Sequence, residues 1–267
     1  MPIAFPARES RSLIGMLHVP ALPGTPGSEL GVGAVIEHVL SEAAVLAEAG
    51  FDALLIENMH DAPYLKGGVG PEIVAALTAI GAAVSASSEL PIGVQVLAAA
   101  NREAVAVAQA SQLGFVRAEG FVFGHVADEG YIDSCAGELL RYRKAIGADD
   151  IAVFCDIKKK HSSHAITGDV SLAETAEAAE FFKADGVIVT GTATGAPASM
   201  SDLREVRAAT QLPLLVGSGA TSENVADYLS IADAVIVGSS IKVGGHWANR
   251  IDRESACAVV KAAKTVS

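Results

Sequence analysis

Eight short apolar runs, each followed by a helical stretch, recur from one end of this 267-residue chain to the other. The runs read as strands at Ser12–Leu17, Ala53–Ile56, Ile92–Leu97, Phe115–Ala118, Ile151–Ile157, Gly186–Thr190, Pro213–Val216 and Ala234–Val237. Helices read between and after them at 32–49, 71–87, 102–113, 137–146, 172–182, 201–210, 223–230 and 253–264. Strands that are apolar without alternation have both faces covered, as parallel strands flanked by helices do. Ala49-Gly50, Leu113-Gly114 and Ala184-Asp-Gly186 supply helix stops that turn the chain back into the sheet. Eight such units, with no domain-sized insertion and no low-complexity linker, predict an α/β fold. It is a single (β/α)8 TIM barrel over residues 1–267 rather than a doubly wound sheet.

Composition narrows the function classes. The chain is 51% hydrophobic, yet no apolar run approaches the ~20 residues that span a bilayer. The start, MPIAFPARESRS, lacks the apolar segment of a secretory signal, so the expectation is a soluble, cytoplasmic protein without integral membrane association. A net charge of -12 argues against nucleic acid and anionic membranes, both of which recruit Lys and Arg. An anionic ligand must therefore be held by local geometry. Three cysteines without CxxC spacing predict neither a disulfide framework nor a zinc site; two of them sit in apolar or helical settings, which predicts buried thiols in a reducing compartment.

In such barrels the chemistry gathers at the C-terminal strand ends. Those ends carry His18, Glu57 with Asn58, Gln95, Arg117 with Glu119, Asp156 with Lys158, and then three small-residue loops. Gly217-Ser218-Gly219 follows strand seven and Gly238-Ser239 follows strand eight, where phosphate-binding barrels place their anion site. Backbone N–H groups in such turns cradle a phosphate without net positive charge; the plainer reading is that glycine only lets the chain turn. Lys242 either adds charge there or is an exposed helical lysine. The loop Gly191-Thr192-Ala-Thr-Gly195, following Thr190, either contacts the same ligand or makes room for its neighbours.

Period-two alternation puts Arg117 with Glu119, and Asp156 with Lys158, on common strand faces. Lys158 beside carboxylates could act as acid, base, imine-forming amine or electrostatic clamp, or close a structural ion pair. Glu57 and Asp156 end apolar strands, where burial raises a carboxyl pKa toward general acid/base use. His18, in a rigid Pro-rich turn, is a hydrogen-bond donor to substrate or, with Glu57, Glu119 and Asp156, a ligand of a divalent metal. No HExxH spacing supports the metal. Loops 121–136 and 159–170 are the longest after the strands. The second, with Lys159, Lys160, His161 and His164, is either a solvated turn or a lid closing on an anionic substrate.

Several of these segments resemble the BtpA/SgcQ family: Gly15-Met-Leu-His18-Val-Pro-Ala-Leu-Pro-Gly24-Thr-Pro26, Glu57-Asn-Met-His-Asp-Ala-Pro-Tyr64, Asp156-Ile-Lys-Lys-Lys-His161, Val189-Thr-Gly-Thr-Ala-Thr-Gly195, Gly217-Ser-Gly219 and Gly238-Ser239. The resemblance spans nearly the whole chain and implies a ribulose-phosphate-binding-type barrel. Arg117-Ala-Glu119 stands where bacterial members carry Arg-Val-Asn, as in animal-type members, so it transfers no role to Glu119. The family name implies a factor in photosystem I accumulation, and SgcQ-type members imply sugar utilisation; neither names a reaction.

Three readings follow. The first is an enzyme acting on a small phosphorylated metabolite, a sugar phosphate or nucleotide-derived one. Its Glu57, Asp156 and Lys158 would move protons, as an isomerase, epimerase, aldol-type lyase or glycosidic hydrolase or phosphorylase does. The second is a metal-dependent hydrolase on His18, Glu57 and Asp156; the third is a non-catalytic assembly factor. An apolar outer helix face would make the protein a homo-oligomer.

Overall fold

The computed structural model of the protein describes residues 5–6, 10–191 and 195–266. In chain order the strands are β1 (Ser12–His18), β2 (Ala53–Glu57), β3 (Ile92–Gln95), β4 (Phe115–Ala118), β5 (His125–Ala127) and β6 (Gly130–Ile132), then β7 (Ala152–Lys158), β8 (Ser162–Ser163), β9 (Gly186–Val189), β10 (Leu214–Val216) and β11 (Ala234–Val237). The helices are α1 (Val32–Ala49), α2 (Pro71–Ser87), α3 (Asn101–Ser111), α4 (Ala136–Ala145), α5 (Leu172–Phe181), α6 (Met200–Ala209), α7 (Val225–Leu229) and α8 (Arg253–Ala263). Eight strands close a parallel barrel in the order β1-β11-β10-β9-β7-β4-β3-β2. All eight expected βα units form, with ends displaced by a residue or two. Among the described residues, no helix is long and apolar enough to cross a membrane.

Alternation along each strand divides the apolar residues into two cores. Leu13, Leu17, Leu54, Ile56, Val94 and Val116 face outward onto the helices, whereas Ile14, Met16, Leu55, Phe115, Phe154 and Ile188 fill the barrel. Two of the inner residues are large, and the neighbouring strands make room for them. A Cβ on Gly93 would stand 2.2 Å from the Phe115 ring, and one on Gly186 would stand 2.6 Å from that of Phe154. Burying each ring contributes about 1.5–3 kcal/mol.

At the opposite rim three aspartates perform a task the sequence did not announce. Asp52, just before β2, accepts the Leu13 N–H at 2.7 Å. Asp185, before β9, accepts that of Val153 at 2.8 Å, and Asp233, before β11, that of Leu214 at 2.7 Å. Each carboxylate thus accepts an N–H at the start of the preceding barrel strand, and Arg143 and Arg207 neutralise two of them. α1 ends at Gly50, whose φ of +96° is the left-handed stop expected there. Of the cysteines, Cys155 is buried and its thiol pKa is raised by burial, but Cys257 is exposed on α8.

The two long loops are not independent. β5 is the middle strand of a small antiparallel sheet, β6-β5-β8, in which Val126 pairs with Tyr131 in its own loop and with Ser163 in the next. The loops after β4 and β7 are therefore knitted into one cap.

Candidate functional site at the barrel mouth

Continuing the inward alternation lifts His18, Glu57, Gln95, Arg117 and Asp156 into the topmost layer of the barrel, all of them buried. Arg117 holds Asp156 as a two-pronged fork, Nε donating to Oδ2 at 3.0 Å and Nη2 to Oδ1 at 2.9 Å. Burial works against the guanidinium charge, but Asp156, Glu57 and Glu119 outweigh it and raise its pKa. Both Asp156 oxygens are thus occupied. Asp156, expected as a free acid/base group, instead positions Arg117.

The carboxyls that Arg117 does not hold are Glu57 and Glu119. Burial raises the pKa of Glu57, opposed by Lys160 and Arg117. Burial likewise pushes Glu119 up to about 7, opposed chiefly by Lys159. Glu119 accepts from Gln95 Nε2 at 3.2 Å and from the Ala99 N–H at 3.0 Å, and Lys159 Nζ lies 3.5 Å away. His18 is pulled down to about 3, first by burial and then by the charge of Lys242. Its Nδ1 lies 3.0 Å from the Trp247 carbonyl, which only accepts, so Nδ1 carries the hydrogen. The bare Nε2 then faces Glu57 Oε2 at 3.6 Å. A proton in this corner resides on Glu57. Among the described residues, Gln95 Oε1 is buried without a hydrogen-bond partner.

The glycine loops line a cleft of about 450 Å3 bounded by Gly219, Ala220, Gly238, Ser239 and Ser240. Among the described residues, the backbone N–H groups of Gly219, Ala220, Ser239 and Ser240 make no hydrogen bond. The side chain of Ser218 is committed elsewhere: its hydroxyl accepts from the Gly191 N–H at 2.8 Å and donates to the Ala196 carbonyl at 3.3 Å. It clips two loops together. Thr190 similarly donates to the Lys158 carbonyl at 2.6 Å. Thr192, expected to contact the same ligand, lies outside the described residues.

A throat lined by His18, Glu57, Arg117, Lys160, Gly217 and Ser239 shares Gly219, Gly238 and Ser239 with that cleft. It shares Glu57, Arg117 and Lys160 with a pocket of about 320 Å3 that also holds Gln95, Glu119, Lys159, His161 and Trp247. Cleft, throat and pocket form one trough, with backbone donors at one end and titratable side chains at the other.

Four expected residues have their side chains engaged by other residues. Lys158 does not share the inward face of Asp156, because the β7–β9 register slips between them: Asp156 pairs with Ile188 and Lys158 with Val189. That bulge adds a residue and breaks the period of two, so Lys158 turns out to an ion pair with Asp202 of α6. Lys160, two residues on, enters the throat. Lys242 is neither exposed nor at the cradle; it is buried against Glu42 of α1 at 2.8 Å. Asn58 accepts from the Leu97 N–H at 2.7 Å and donates to Asp61 at 2.9 Å, leaving it a clamp between loops. Asp156 is the fourth. Among the described residues, no three His, Cys, Asp or Glu side chains converge as metal ligands; Arg117 and Lys159 occupy the neighbours of His18 and Glu57 instead.

Sequence reasoning missed Trp247 as a wall of the pocket and as the partner of His18. Its signal was present: the only tryptophan of the chain stands in the Gly-Gly-His-Trp turn after strand eight.

The BtpA family model matches residues 9–265. A Caenorhabditis elegans protein described as "Uncharacterized protein F13E9.13, mitochondrial" is 50% identical over 249 residues, covering 91% of this chain and 90% of that one. The Synechocystis sp. "Photosystem I biogenesis protein BtpA" is 34% identical over 251 residues, covering 94% and 87%. Among solved structures, thiamine phosphate pyrophosphorylase from Pyrococcus furiosus superposes with a TM-score of 0.62 at 14% identity, covering 97% of this chain and 99% of that one. Orotidine 5'-monophosphate decarboxylase from Methanocaldococcus jannaschii gives 0.58 at 14% identity, covering 96% of each. At such identities the likeness is one of fold.

Proposed function

The chain belongs to the BtpA family, and we propose that its barrel mouth is the active site of an enzyme acting on a small phosphorylated metabolite. The phosphate sits on the loops after β10 and β11, and Glu57 with His18 moves protons at the other end of the trough. The observation that carries this reading is the set of four unengaged N–H groups opening onto the same trough as Glu57. In a protein of net charge -12, backbone dipoles are the means of holding an anion without a basic field. Barrels of this fold whose names carry phosphorylated compounds, such as the two above, support the same seat.

The chemistry follows from the protonation states. Burial favours the protonated form of Glu57; with its proton it donates to a substrate oxygen, and ionised it withdraws a proton from carbon. His18 stays neutral and offers Nε2 as an acceptor, held in that tautomer by the Trp247 carbonyl. Arg117, fixed by Asp156, lies where negative charge develops on the substrate and stabilises it without rearranging. Gln95 Oε1 takes a substrate O–H or N–H and so orients the reacting end. This set serves isomerisation, epimerisation and aldol-type cleavage alike.

Thermal melting with orthophosphate, ribose 5-phosphate and free ribose tests the seat. At a hundred times its dissociation constant a ligand stabilises by ~2.7 kcal/mol, a shift of about 5 °C for a chain of this length. Both phosphates should shift the melt and free ribose should not. Ser239→Asp, which sets a carboxylate among the donors, should weaken both at least tenfold. A ribose shift equal to that of its phosphate, or indifference to Ser239→Asp, would refute the seat.

A further inference from the structure

The run Lys158-Lys159-Lys160 places three amines in three different settings. Lys158 is taken by Asp202. Lys159 lies 3.5 Å from Glu119 and 3.7 Å from Glu129. Lys160 is half-buried, and among the described residues no carboxylate comes within 4 Å of its Nζ and no hydrogen bond engages it. It lines both the throat and the pocket, next to Glu57 and Arg117. A half-buried amine without an ion-pair partner is not committed to a structural contact, and it lines the throat together with Gly219 and Ser239 of the phosphate seat and Glu57 of the proton-transferring corner.

We propose that Lys160 is a nucleophilic amine that forms an imine with the carbonyl carbon of a phosphorylated aldehyde or ketone. The proposal rests on the phosphate seat described above and names the substrate class that seat serves. The Nζ lone pair forms the C–N bond while the carbonyl π pair moves to oxygen. One proton passes from nitrogen to that oxygen and a second comes from the Glu57 carboxyl, so the oxygen leaves as water. The product is a protonated imine paired with the Glu57 carboxylate; atoms and charge balance without a further reagent. Burial lowers the pKa of Lys160, which Glu57 only partly offsets, and so favours the neutral amine this step needs. Arg117, held by Asp156, is a second cation facing Lys160 and works in the same direction.

The test is reductive trapping of the full chain with cyanoborohydride and either glyceraldehyde 3-phosphate or dihydroxyacetone phosphate, read by peptide mass mapping. Lys160 should be modified at least tenfold faster than the exposed Lys144, orthophosphate should slow it, and unphosphorylated glyceraldehyde should not reproduce it. Lys158→Met should trap normally, and Lys160→Arg should not, while keeping its melting temperature and its orthophosphate shift. Modification of Lys160 no faster than Lys144, or faster modification of Lys158 or Lys159, with the orthophosphate shift intact, overturns the imine and leaves the phosphate seat standing. No orthophosphate shift in the unmodified protein removes the seat, and this proposal with it.

Discussion

Replacing Lys242 by methionine separates a structural lysine from a ligand-binding one. Its side chain is 1% exposed, and Nζ donates to Glu42 Oε2 at 2.8 Å, while Glu42 Oε1 accepts the Ile251 N–H at 2.8 Å. The pair thus bolts α1 to the segment leading into α8 across about two hundred residues of sequence. Methionine keeps the aliphatic stem but leaves the Glu42 carboxylate buried without its cation. Breaking a buried pair from one side costs about 3–5 kcal/mol. With an unfolding entropy of ~2.1 cal/mol/K per residue, the melting temperature should fall by roughly 5–9 °C. Adding Glu42→Gln removes the stranded charge while an amide oxygen still accepts from Ile251, so the double variant should recover at least half of the loss. Urea unfolding and calorimetry measure the stability, and titration with orthophosphate measures the cradle. The dissociation constant for orthophosphate should stay within twofold in both variants. A Lys242→Met protein that melts normally but binds phosphate tenfold more weakly would refute the assignment.

Glu119 gives a pH signature. Burial lifts its folded pKa to about 7 from the ordinary 4.5, so the folded state holds the proton more tightly than the unfolded state does. Its contribution is complete below about pH 4.5 and is lost as pH rises through 7, a loss of roughly 3 kcal/mol. The stability of the wild type relative to Glu119→Gln should therefore decline by that order between pH 4.5 and 8 in urea titrations. His18, depressed to about 3, runs in the opposite direction and cancels in the difference. Parallel pH profiles for the two proteins would show that Glu119 ionises freely. In the cap, Val126→Pro should break the ladder joining both long loops. Hydrogen exchange over 123–134 and 161–164 should accelerate while the barrel melts within about 2 °C of wild type, because Val126 is exposed and the barrel core is untouched. Unchanged exchange would mean the cap is held by something other than β5.

The barrel was legible because its code is local. A parallel strand covered on both faces must be an apolar run, and the period of two carries the inward face from Ile14 and Met16 to His18, and from Leu55 to Glu57, without reference to any other part of the chain. The glycine turns after strands seven and eight were legible for the same reason. Lys158 was misread because the alternation that placed it was interrupted by a bulge, and a bulge is a property of the β7–β9 pairing rather than of β7. The role of Lys242 was hidden because its partner, Glu42, lies on the first helix, and only closing the barrel brings β11 back beside β1. The same closure hangs Trp247 over His18, while pairing of consecutive barrel strands sets Asp52, Asp185 and Asp233 against their neighbours' N–H groups. The sequence by itself determined which residues of the unbroken strands face the mouth, since that depends on backbone period. Tertiary structure alone decided which of them carry charge, which are spent on one another and which remain free, since electrostatics and desolvation depend on neighbours far apart along the chain.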